Sequence, residues 1–131
     1  MRTTGETASF FIRDGHQRIC LFRENSPRPI RHHLEEGTRH PLNRGAVGQI
    51  LRAYAAPARD AGVVQKKGWI ISRGAREPDL AGVAVPVFNR ERQFVGALSV
   101  SGLLSRFSLD ACEKTKAALL KEARQLPERI P

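Results

Sequence analysis

Along the 131 residues the hydrophobic positions change their period several times, and each change marks an element. Thr7 to Arg13 is β-prone, and Asp14-Gly15 is a tight-turn signal. The strand resumes from Gln17 to Arg23, with Ile19 and Leu21 expected on one face and Cys20 and Phe22 on the other. These two runs predict an antiparallel hairpin. Asn25-Ser26-Pro27-Arg28-Pro29 breaks it, because each proline lacks a donor and fixes its φ. A third strand is expected over 30–34, followed by a loop at 35–38. From Gly45 onward Val47, Ile50, Leu51, Tyr54 and Ala55 recur at helical spacing until Pro57. A second short helical stretch, Arg59 to Lys67, ends at Gly68. Trp69 to Ser72 reads as a strand and 73–79 as a loop. Gly82 to Phe88 is apolar with little polar alternation, which predicts a strand covered on both faces. Pro86 points to an edge or a bulge within it. Asn89 to Arg92 turns the chain into a last strand, Phe94 to Ser101.

The final helix has the clearest pattern. Ser108 is placed to cap it, and Asp110 and Glu113 suit the positive end of its dipole. Leu109, Cys112, Leu119, Leu120, Ala123 and Leu126 form the apolar stripe, which Pro127 ends. The order β-β-β-α-α-β-β-β-α predicts an α+β domain, one antiparallel sheet with helices packed against it.

Composition adds bounds. At 40% hydrophobic and 27% charged, the chain sits with ordinary globular proteins, of about one domain's length. No run approaches the ~20 apolar residues of a membrane-spanning helix, so no membrane role is expected. The first residues, Met1 to Thr7, carry no apolar stretch after their charge and do not read as a secretory signal. Cys20 and Cys112 lie far apart and match no zinc spacing, which fits a cytoplasmic setting with reduced thiols. The 22 Lys and Arg against 13 Asp and Glu leave a net charge of +9, but the arginines arrive singly. A scattered arginine-rich surface raises solubility and weak affinity for anions; a nucleic-acid reading would need one contiguous basic face.

Candidate chemistry is sparse. Ser99 and Ser101 share one strand face, but the string around them is not a nucleophile elbow, and no histidine pattern supplies a base. They read as hydrogen-bond donors or as backbone partners. No enzyme is expected. A small hydrolase would require His40 to meet Ser101. His32 and His33, adjacent on a strand, would face opposite ways and cannot chelate one ion; neither a metal nor a cofactor is expected. Gly45-Ala46-Val47-Gly48 opens a helix whose first amides could meet an anion, or it is a tight entry with close packing. Glu77 and Asp79 read as loop charges, and Trp69 as a core, interface or pocket-wall residue.

Taken in order, these strings resemble a known family. Thr4-Gly5-Glu6-Thr7, Ser26-Pro27-Arg28-Pro29, Gly37-Thr38-Arg39-His40-Pro41-Leu42, the helix opening at Gly45 and Gly68-Trp69-Ile70-Ile71 come first. Glu77-Pro78, Ala84-Val85-Pro86-Val87-Phe88, Gly96-Ala97-Leu98-Ser99-Val100-Ser101-Gly102 and Ser105-Arg106-Phe107 follow. Together they resemble the C-terminal effector-binding domain of the isocitrate-lyase-regulator (IclR) family of bacterial transcription factors. The resemblance implies a GAF/PAS-like antiparallel sheet with flanking helices that senses a small metabolite, often a carboxylate or aromatic acid. By position it implies ligand contacts at Gly45, Ala46, Val47, Ser72, Leu80, Gly82, Ser99 and Ser101, with Trp69 and Ile71 as walls. Many relatives carry an acidic residue where Ser72 stands and a histidine where Asn43 stands, so the identity of the ligand does not carry over. The resemblance further implies a dimer or tetramer, and DNA binding only through an N-terminal winged helix-turn-helix. Residues 1–131 are accordingly expected to form a single effector-binding domain without that N-terminal part. The alternatives are a stand-alone structural dimerisation module, a basic nucleic-acid-binding domain or a small hydrolase.

Overall fold

The structure, a computed structural model, describes residues 7–24, 37, 39–42, 45–55, 67–74 and 79–125. Its elements are β1 (Thr7–Asp14), β2 (Gln17–Glu24), β3 (Arg39–Pro41), α1 (Ala46–Ala55), β4 (Ile70–Arg73), β5 (Leu80–Phe88), β6 (Phe94–Leu103) and α2 (Leu109–Gln125). All strands join one antiparallel six-stranded sheet in the order β3-β2-β1-β6-β5-β4. Among the described residues α1 packs on one face, against β4, β5, β6 and β1, and α2 on the other, against β5 and β6. The predicted α+β architecture is the observed one.

The hairpin turns where Asp14-Gly15 foretold it, with Gly15 at φ 62°, a conformation that costs glycine nothing. In the β1–β2 ladder Phe10 faces Phe22 and Phe11 faces Cys20, so Leu21 is skipped. That bulge leaves Leu21 45% exposed while Cys20 is buried. The third described strand lies at 39–41, within a stretch that carried no strand expectation; the one expected over 30–34 lies outside the described residues, as does most of the helical stretch 59–67.

β6 lies at the middle of the sheet with β5 beside it, and their side chains sort by size across the two faces. Val83, Val85, Val87, Leu98 and Val100 face α2 in a core with Phe10, Phe107, Cys112 and Leu119. Ala84 and Ala97 face α1 in a second core with Phe11, Cys20, Ile50, Leu51 and Ile70. Large branched residues thus fill one side, and small ones let a helix approach on the other. Pro86 pairs with Ala97, but β4 ends opposite Ala84, so β5 is locally an edge at the proline and bulges after it at Val87/Phe88. A residue without a donor is tolerated there.

The α2 stripe needs one correction. The Ser108 hydroxyl accepts from the Ala111 amide at 3.1 Å, which confirms the cap. Cys112, Thr115 and Leu119 are the buried positions, whereas Leu109 is 59% exposed. Phe107, just before the cap, is 2% exposed and lies in the same core as Cys112 in the manner of a hydrophobic staple. Leu126 lies outside the described residues.

Candidate functional site

The strand registers carry the site. Thr7 faces Ser101, Ser101 faces Gly82 and Gly82 faces Ser72, one row across four strands. The next row is Ser9, Ser99, Ala84 and Ile70, and the one after it Phe11, Ala97 and Pro86. Phe11, Ala84, Ala97 and Ile70 belong to the α1-side core, so the two-residue alternation of strands puts every member of these rows on that face. The face therefore grades from hydroxyls at one end to apolar groups at the other. Thr7, Ser9, Ser72 and Ser99 are all buried.

The N-terminus of α1 lies over the hydroxyl end. A methyl group added at Gly82 would sit 3.9 Å from the Ala46 Cβ. The Gly45 carbonyl accepts from Gln49 at 3.1 Å, which makes Gly45 the N-cap. As a glycine it offers no side-chain oxygen to the first amides, and no acidic residue stands in the first turn. Gly45, Ala46, Val47 and Gly48 are all buried. A partly positive helix end thus meets a floor of neutral hydroxyls.

The expected site residues divide. Gly45, Ala46, Val47, Ser72, Gly82, Ser99 and Ser101 come together between α1 and the sheet. Leu80 falls on the same face by alternation, one row beyond Gly82, opposite Leu103. Trp69 and Ile71 do not join them: both pack in the α2-side core. Ile71 alternates with Ile70 and Ser72, so the strand that delivers Ser72 to one face must deliver Ile71 to the other. The Trp69 ring instead carries Lys67 Nζ at 4.6 Å and Lys116 Nζ at 4.1 Å from its centroid. Thr7 and Ser9 were missed. Their alternation with Ala8 and Phe10 was visible, but nothing in the sequence said that β1 lies beside β6.

Other candidate chemistry is not assembled. His40 lies on β3 beside Arg18, three strands from β6 in the sheet order, so it does not meet Ser101. Among the described residues no three His, Cys, Asp or Glu side chains are grouped to hold a metal ion. His32, His33, Asn43 and Glu77 lie outside the described residues; Asp79 is exposed. Among the described residues no helix is long and apolar enough to cross a membrane. Both thiols are buried, and burial pushes the Cys112 thiol above its ordinary pKa, an effect partly opposed by a hydrogen bond from Arg73.

The fold recurs in known proteins. The chain is 24% identical to the HTH-type transcriptional regulator BhcR of Paracoccus denitrificans, over 96% of this chain and 54% of that protein. It is 22% identical to the HTH-type transcriptional regulator KipR of Bacillus subtilis, over 95% of this chain and 62% of that protein. The chain thus spans little more than half the length of these relatives, both of them transcriptional regulators. Solved structures share the fold. Pseudomonas aeruginosa HmgR superposes with a TM-score of 0.85 at 18% identity, over 97% of this chain and 60% of that one. Thermotoga maritima IclR does so at 0.84 and 19%, over 98% and 63%. The family profile described as bacterial transcriptional regulator IclR C-terminal matches residues 1–65 and 62–128, nearly the whole chain. The chain belongs to the IclR C-terminal domain family.

Proposed function

We propose that residues 1–131 form a single domain, the small-molecule sensor of an IclR-type transcriptional regulator, and that its effector is a metabolite bearing a carboxylate. The observation that carries this reading is the row Thr7, Ser101, Gly82 and Ser72 beneath the buried N-terminus of α1. The first amides of α1 and the hydroxyls of this row can all turn donors toward one anionic group, and Gly82 brings the helix end close over the sheet. Ser72 adds no negative charge, so an anion entering meets no repulsion from that position.

Regulation then follows from linkage. An effector that binds one arrangement of the domain more tightly than another shifts the population toward it, and with it a DNA-binding domain joined at the N-terminal side. Such a regulator works in the cytoplasm as a dimer or tetramer. The test is a thermal-shift screen against small carboxylates, aromatic acids and glyoxylate-like metabolites. A ligand at ~100-fold over its Kd should stabilise the fold by about 2.7 kcal/mol. Ser101→Ala should then weaken the hit by ~10-fold or more, since a hydrogen bond to a charged group contributes about 1.5–3 kcal/mol. Equal binding by Ser99→Ala, Ser101→Ala and the parent chain would reject this site.

A further inference from the structure

The far end of α1 borders a second concavity that the sensor reading leaves unused. It is an open groove of about 760 Å³. Tyr54 and Phe88 form one wall, with ring centroids 5.6 Å apart and planes at 75°, and Phe94 stacks behind Tyr54 at 5.4 Å. Leu120 and Ala123 of α2 form the other wall, and Pro86 lies between. Pro86 is four residues from Gly82 along β5, ~13 Å at strand rise, so this groove is separate from the hydroxyl rows.

Two features say what fits. The first is charge: the described lining residues include Arg92 and Arg124 and no acidic side chain. Arg124 Nε donates to the Leu120 carbonyl at 3.2 Å, which lays the guanidinium back along the helix toward the groove. Arg92 stands in the β5–β6 turn at φ 61°, a backbone conformation that suits glycine. The turn that holds it there is closed by Arg92 N to Asn89 O at 3.0 Å and Gln93 N to Asn89 Oδ1 at 2.9 Å. The second feature is the edge. β5 has no β4 partner beyond Ala84, yet Pro86 withholds a donor there and so disfavours addition of a peptide strand. Flat apolar walls, two cationic lips and a blocked edge suit a small flat ligand better than a polypeptide. The volume is that of an ordinary small-molecule pocket.

The geometry points to a second binding site, between the ends of α1 and α2, for an amphipathic organic anion with an aromatic body, such as an aryl carboxylate. Its rings lie against Tyr54 and Phe88, and its anionic group meets Arg92 and Arg124. Titrating the folded chain with the fluorescent anion anilinonaphthalene sulfonate, and with its uncharged counterpart phenylnaphthylamine, tests it. Arg92→Gly and Arg124→Gln are combined in one variant; both side chains are exposed, and glycine suits the turn, so the fold survives. The expected result is saturable binding of the anion, displaced by naphthoate. The double variant and the uncharged probe should each bind weaker by about tenfold or more, and Ser101→Ala should change nothing. Equal affinity for the uncharged probe, or no loss in the double variant, overturns the site. So does loss of binding on Ser101→Ala, which would put the probe among the hydroxyl rows, and so does the absence of saturable binding.

Discussion

Two glycines on neighbouring strands offer a controlled comparison. A Cβ built on Gly96 would lie 2.7 Å from the Phe10 ring and closer still to the Phe11 carbonyl oxygen. Ordinary carbon contacts begin near ~3.5 Å, so the ring alone is short by about 0.8 Å. Neither neighbour can give way freely. Phe10 is 6% exposed within the α2-side core, and Phe11 is tied by its pairing with Ala97. Overpacking of this kind costs about 1–3 kcal/mol, and contact with backbone places Gly96→Ala near the upper end. Against that stands the ~0.4–1 kcal/mol that alanine contributes by restricting the unfolded chain. The net expectation is a loss of about 2 kcal/mol, or ~6–10 °C in Tm for a chain of this size. At Gly82 the nearest atoms to an added Cβ are 3.8 and 3.9 Å away, ordinary contact distances. Gly82→Ala should therefore be neutral or slightly stabilising, while taking space from the site below α1. Urea unfolding followed by the fluorescence of Trp69 and by circular dichroism measures both. If Gly96→Ala proves as stable as the parent, or Gly82→Ala loses more than Gly96→Ala, the steric reasoning is wrong.

Further outcomes follow from the same geometry. Ser108→Ala removes the acceptor for the Ala111 amide and should cost about 1 kcal/mol, read from the midpoint of urea unfolding. Leu119→Ala empties a fully buried position of the α2 core and should cost ~2–5 kcal/mol, much more than Leu109→Ala at the exposed first turn. The Cys112 thiol keeps its proton in the fold at pH values where the unfolded chain has lost it. Unfolding thus releases a proton, and stability should fall as pH rises above the ordinary thiol pKa of ~8.5 toward the raised folded value. Cys112→Ala should flatten that alkaline decline in a pH series of unfolding curves; an unchanged slope would show that another group carries it.

What the sequence determined by itself was local. Asp14-Gly15, Ser108 and the spacing of Val47, Ile50 and Leu51 act through turns, caps and one helix face, where the deciding forces reach only a few residues. The double burial of β5 was legible for the same reason, because an unbroken apolar run has no face to give to water. The family's motifs picked out Gly45, Ser72, Gly82, Ser99 and Ser101, which the fold gathers on the α1 side of the sheet. Tertiary structure decided the rest. Thr7 and Ser9 entered the site because β1 lies beside β6, a pairing across some ninety residues that no local pattern encodes. Trp69 and Ile71 left it because register assigns alternate residues of β4 to opposite faces. Phe107 is buried and Leu109 exposed, because helical spacing sets the angle of a side chain but not what lies beneath it. The size alternation along β5, valines on one face and glycine, alanine and proline on the other, was the sequence's trace of that division. Only the packed helices gave each face its meaning, because a sheet's two sides become different when different elements cover them.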